Sequence, residues 1–198
     1  ELAAAVERLA SGLLKLGLRK DDVLMVQLPN IVELPIVYLA AARLGLIVSP
    51  LPVQYRTHEL RQTMSVARPA AFITTNNFGG FNYVEMVQHL QAEAPSLKTL
   101  IALGTDLPSG VVGLSELLTS PADVAALNAY AKTQSFDANE VFTICWTSGT
   151  EAEPKGVPRS HNHWISIAYA TVDGAQIARG DTLLNPFPMV NMSAIGGM

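Results

Sequence analysis

Ten consecutive residues, Thr147-Ser148-Gly149-Thr150-Glu151-Ala152-Glu153-Pro154-Lys155-Gly156, combine small hydroxyl side chains, glycines and one lysine. Their chemistry suits a polyphosphate. Glycine lets backbone N–H groups turn toward an anion, the hydroxyls of Thr147, Ser148 and Thr150 can donate hydrogen bonds, and Lys155 supplies a compact positive charge. The run is not a Walker A loop, because Pro154 precedes Lys155 and Gly156 follows it, where that motif needs Gly before and Ser or Thr after. The chain has no G-x-G-x-x-G segment either, which removes the dinucleotide fingerprint. A surface turn rich in Ser, Thr and Gly is the plainer reading of such a composition.

Other chemistry-bearing residues are more easily explained by structure. His161 and His163, two apart, would share a face only on a strand, and they fall where a helix should open, which disfavours a metal pair. Cys145 sits in the apolar run Val141-Phe142-Thr143-Ile144-Cys145-Trp146 and reads as a small buried hydrophobe rather than a nucleophile. Trp146 and Trp164 read as packing groups. Glu151 and Glu153 read as solvated loop positions, since phosphates would repel them.

The elements that must hold the loop follow from periodicity. Val141 to Trp146 is predicted to be a buried strand delivering it. Leu2, Val6, Leu9, Leu13 and Leu16 recur at helical spacing with Gly17 as a stop. Strands are predicted at Val23 to Leu28, Ala70 to Thr74 and Leu97 to Leu103, with an extended segment from Ile47 to Val53. Helices are predicted from Ile31 to Leu44, from a Thr57 cap to Ala67, from Tyr83 to Ala94, and around Leu114 to Leu118 and Ala122 to Tyr130. Asn76 to Asn82 is predicted as a loop, residues 131 to 140 as a linker, and Thr182 to Phe187 as a further strand. Strands alternating with helices predict an α/β fold with a largely parallel sheet.

Composition bounds the function. With 198 residues, 49% hydrophobic and 15% charged, the chain can bury a core, and disorder is excluded. A net charge of −4, with no basic run, argues against nucleic acid as a partner. A single cysteine rules out an intrachain disulfide framework and suits a reducing compartment. No stretch reaches the roughly 20 apolar residues of a membrane span, so a cytoplasmic location is the expectation.

Several segments taken in order resemble one family. Thr147 to Thr150 and Pro154 to Val157 match a signature Thr-Ser-Gly-Thr-Thr-Gly-x-Pro-Lys-Gly-Val, with Glu151 and Ala152 at its third Thr and its second Gly. Ser160-His161-Asn162 follows in place. Upstream lie Gly17 to Val23, Gln27-Leu28-Pro29-Asn30, Ala40 to Gly45 and Tyr55 to Leu60. These resemble the adenylate-forming acyl-CoA synthetases, acyl-AMP ligases and luciferase-like enzymes.

That resemblance implies two stacked α/β subdomains with largely parallel sheets. Residues 1–135 would form the first, and 136–198 would begin the second, with the phosphate loop at 147–156. It also implies ATP-dependent activation of a small carboxylic acid through an acyl-adenylate, with Mg²⁺, followed by transfer to CoA or a carrier-protein thiol. Thr147, Ser148, Gly149, Thr150 and Lys155 would contact the phosphates. Asn191, in Pro186 to Ser193, takes the place of a family His that borders the acyl pocket; a helix-capping Asn is the structural alternative. No catalytic residue and no metal ligand is assigned in this segment, because the catalytic Lys is expected in a C-terminal domain. The sequence, beginning with Glu1 inside a helix, reads as an N-terminal part that is inactive alone. The competing reading is a non-catalytic ATP-binding or other phosphate-binding α/β module. The sequence does not specify the acid, the acceptor or the oligomeric state.

Overall fold

The computed structural model describes residues 1–147 and 154–196. In chain order its elements are α1 (Leu2–Lys15), β1 (Val23–Gln27), α2 (Glu33–Leu44), β2 (Ile47–Pro50), α3 (Thr57–Ala67), β3 (Ala71–Thr75), β4 (Asn77–Phe78), β5 (Phe81–Asn82) and α4 (Tyr83–Gln91). They continue with β6 (Thr99–Leu103), β7 (Val111–Gly113), α5 (Leu114–Thr119), α6 (Val124–Thr133), β8 (Val141–Thr147), β9 (Lys155–Ser160), α7 (His161–Gly174) and α8 (Met192–Ile195).

Seven of the described strands form one sheet in the order β7-β6-β3-β1-β2-β8-β9. All pairs are parallel except β8 with β9. From β1 the chain crosses to β2 on one side and then to β3 on the other, so the crossovers diverge at β1. In such sheets, ligands bind beyond the carboxyl ends of the strands, at the point of divergence. The expected division near residue 135 falls in the turn between α6 and β8, and the sheet continues across it where Val48 of β2 pairs with Thr143 of β8.

The pleat sends alternate side chains into two cores. Leu24 and Val26 of β1, Ala71 and Ile73 of β3 and Ile101 of β6 join residues of α1, α2, α5 and α6 on one face. Met25, Phe72, Leu100 and Ala102 join residues of α3 and α4 on the other. Phe72 and Leu24 are fully buried, and burying such a side chain is worth about 1.5–3 kcal/mol. Near-continuous apolar strands are what a sheet covered on both faces requires. β8 belongs to both layers, since Cys145 packs into the first core and Trp146 against the second.

Four expectations change. Thr182 to Phe187 is not a strand: it has no ladder partner among the described residues, and Leu184 is 85% exposed. Asn76 to Asn82 contains the antiparallel pair β4–β5 around Gly79-Gly80, a dipeptide that tolerates the positive φ of a tight hairpin. The cap of α3 is Arg56 rather than Thr57, and the Glu59 carboxylate accepts a hydrogen bond from the Arg56 backbone N–H at 2.9 Å. Lys155 and Gly156 are the first residues of a strand rather than loop residues.

Candidate functional site

β8 is held from both faces. Trp164 Nε1 of α7 donates to the fully buried Thr143 Oγ1 at 3.0 Å, and Trp146 Nε1 donates to Ser49 Oγ of β2 at 2.9 Å. β9 then folds back along β8 with Trp146 opposite Gly156 and Thr147 opposite Lys155. A Cβ on Gly156 would lie 2.8 Å from Ile144 Cγ2, so glycine is what lets this pair close. Thr147 and Lys155 are both exposed. They end up side by side at the carboxyl edge of the parallel strands, a hydroxyl at the end of β8 and an ammonium at the start of β9. Ser148, Gly149 and Thr150, and also Glu151 and Glu153, lie outside the described residues.

The histidines open α7. Ser160 is its N-cap: the Ser160 Oγ accepts from the His163 backbone N–H at 3.3 Å, and the Ser160 backbone N–H donates to His163 Nδ1 at 3.1 Å. This reciprocal arrangement satisfies two donors at the helix start. His161 stacks on Phe142 with ring centroids 4.4 Å apart, and burial holds its pKa below the usual imidazole range despite the nearby Glu140 carboxylate. Among the described residues no group of three His, Cys, Asp or Glu side chains could hold a metal ion. Burial pushes the Cys145 thiol up, which disfavours the thiolate a nucleophile needs.

Asn191 is the N-cap of α8, and its side chain makes no capping bond. It is exposed and two residues beyond Met189. The segment leading to it lies over the carboxyl end of β1. Asn30 Nδ2 donates to the Phe187 carbonyl at 2.9 Å, the Met189 N–H donates to Asn30 Oδ1 at 2.8 Å, and the Tyr38 hydroxyl donates to the Met189 carbonyl at 3.1 Å. A cleft of about 180 Å³ lies between this segment, at Pro186, Pro188 and Val190, and the loops that follow β1 and β2.

The residues expected at the site thus occupy two places at the sheet's carboxyl side: Thr147 and Lys155 at the β8–β9 stems, and Asn191 beyond the Asn30-bound segment. Asn30 and Tyr38 had no assigned role from sequence. The Leu28-Pro29-Asn30 motif was the available signal, and nothing in it names Phe187 as a partner. Arg159 was also unassigned; its Nε is buried without a hydrogen-bond partner among the described residues.

Fold and site define a doubly wound α/β domain with its candidate ligand-binding groups gathered at the carboxyl edge of parallel strands. The chain matches the family model for AMP-binding enzymes over residues 1–198, and it belongs to that family. It is 30% identical to the 2,3-dihydroxybenzoate-AMP ligase of Bacillus subtilis (strain 168) over 210 residues, which covers 95% of this chain and 38% of that protein. It is 26% identical to the medium-chain fatty-acid–CoA ligase of Escherichia coli (strain K12), covering 93% of this chain and 32% of that one. The chain therefore spans only 38% and 32% of the length of these two relatives. Among solved structures, apo MbtA of Mycobacterium smegmatis superposes with a TM-score of 0.85 at 20% identity, over 100% of this chain and 36% of that one. ATP-bound MatB of Rhodopseudomonas palustris gives 0.80 at 24%, again over 100% of this chain and 36% of that one. At these identities the likeness to both structures is one of fold. Among the described residues no helix is long and apolar enough to cross a membrane.

Proposed function

We propose that the protein containing this chain activates a carboxylic acid with ATP. A carboxylate oxygen attacks the α-phosphorus, the bond from that phosphorus to the bridging oxygen of the β-phosphate breaks, and an acyl-adenylate and pyrophosphate result. A thiol, of CoA or of a carrier protein, then attacks the acyl carbon, loses its proton and releases AMP. Membership of the AMP-binding family over all 198 residues carries the reading, and the relatives named as an AMP ligase and a CoA ligase support it.

The groups of this chain bind and orient. Lys155 and the Thr147 hydroxyl, paired across the β8–β9 stems, face the β- and γ-phosphates, and Ser148, Gly149 and Thr150 add donors from the loop between them. Fixed donors aimed at phosphate oxygens stabilise the charge that grows there as the carboxylate attacks. Asn191 borders the acid. Mg²⁺ would enter bound to the polyphosphate, as is usual for this ion, and would offset phosphate charge; the described side chains form no cage for it. ATP and CoA as co-substrates fit a cytoplasmic location. The 198 residues alone are proposed to be inactive.

Carboxylate-dependent ATP–pyrophosphate exchange by the full-length protein, across a panel of aryl and acyl acids, tests the reading. Exchange with at least one acid is expected. ATP binding without exchange for any acid would overturn it in favour of a non-catalytic nucleotide-binding module.

A further inference from the structure

We propose that Asn30 is a positioning residue for the acid substrate, acting through the segment Phe187 to Met189; this rests on the acid-activating function above. Its side-chain amide bonds the Phe187 carbonyl at 2.9 Å and the Met189 N–H at 2.8 Å. Those two groups flank Pro188. A residue of a parallel strand bonds its neighbour in this way, giving one hydrogen to the carbonyl before the facing residue and taking one from the N–H after it. Asn30 thus substitutes for one rung of a parallel ladder. The facing position needs no hydrogen bond of its own, so a proline, which has no N–H to offer, fits there.

Three observations give this contact leverage. Asn30 stands three residues beyond the end of β1, the strand from which the crossovers diverge, so it sits where the sheet's topology places ligands. The chain entering the clamp is open to solvent: Leu183, Leu184 and Phe187 are 53%, 85% and 52% exposed, and among the described residues no ladder holds them. The Asn191 N–H donates to the Pro188 carbonyl at 2.9 Å, so a shift at Pro188, whose own backbone is held by its ring, passes directly to Asn191. The buried Tyr38 hydroxyl adds a second hold on Met189 at 3.1 Å, and burial keeps it a phenol able to donate. Among the described residues the Asn30 side chain bonds the segment and neither β8 nor β9, whereas the Tyr38 ring also packs edge-on against Phe142 of β8 at 6.3 Å, so Asn30 is the contact that acts on the acid side alone.

The test uses the full-length protein and the best acid from the exchange panel. Asn30→Ala removes both bonds. Asn30→Asp keeps the acceptor for Met189 but sets a carboxylate oxygen against the Phe187 carbonyl. Both should raise KM for the acid about tenfold, as expected when hydrogen bonds that define a binding surface are lost. KM for ATP should stay within twofold and the melting temperature nearly constant. Tyr38→Phe, which removes one hydroxyl, should move the acid KM in the same direction by less, and it serves if the Asn30 variants fold poorly. An unchanged acid KM in a folded Asn30→Ala protein overturns the proposal. So do equal rises for acid and ATP, which indicate a general structural role. A wild-type protein inert with every acid would sink the functional reading, and this inference with it; an active wild type with insensitive variants would sink the inference alone.

Discussion

Thr147 and Lys155 face each other as the last residue of β8 and the first of β9, so the chain between them leaves and re-enters the sheet at one point. The ammonium is exposed, and no ion pair holds it among the described residues. Lys155→Ala should therefore leave the melting temperature within error while weakening ATP binding and slowing exchange roughly 10- to 100-fold, the range for a charge-assisted contact to phosphate worth about 1.5–3 kcal/mol. Full exchange activity in that variant would remove Lys155 from the site.

The hydrogen bond from Trp164 Nε1 to Thr143 Oγ1 fastens α7 to the strand that carries the loop, and Thr143 is fully buried. Trp164→Phe leaves that hydroxyl, among the described residues, with only the Cys145 sulfur 3.7 Å away. A loss of about 1–3 kcal/mol is expected for an orphaned buried polar group, read as a lower urea midpoint at constant slope. Thr143→Val should cost a similar amount, and the double variant less than the sum, because both changes delete one interaction.

The amphipathic α1 and the apolar strands β1, β3 and β6 were readable because each repeats at the period of its own element. β9 was not. Its sequence, Lys-Gly-Val-Pro-Arg-Ser, has little intrinsic strand preference, and it becomes a strand by pairing with β8, with Pro158 accommodated at the edge of the sheet. The opposite error arose at Thr182 to Phe187, where an apolar run has the composition of a strand but, among the described residues, no neighbour to pair with. The run from Thr147 to Gly156 stood out by composition and order. The clamp between Asn30 and Phe187 did not, since no local signal links residues 157 positions apart.

Gly45 ends α2 in the left-handed region at φ 73°, and a Cβ there would meet Phe136 Cε1 at 2.7 Å and Lys20 Cγ at 3.0 Å. Gly45→Ala should therefore destabilise on two counts, backbone strain of about 1 kcal/mol or more and displacement of Phe136. The combined effect expected is about 2–3 kcal/mol, within the range for overpacking and strain. A thermal melt reads it directly, and an unchanged melting temperature would show that Phe136 moves aside without cost.

His161 makes stability depend on pH. Burial against Phe142 lowers its folded pKa below 6.5, and the Glu140 carboxylate opposes this without cancelling it. The folded chain then takes up its proton later than the unfolded chain as pH falls. Above the unfolded value the group is neutral in both states and costs nothing. Below it the unfolded state binds more protons, and stability falls with pH until the folded pKa is also passed. Urea midpoints should therefore drop between pH 7.5 and pH 5.5. His161→Phe, which keeps the stack and removes the proton site, should flatten that part of the profile. A variant with the same slope as the wild type would assign the pH dependence to other groups.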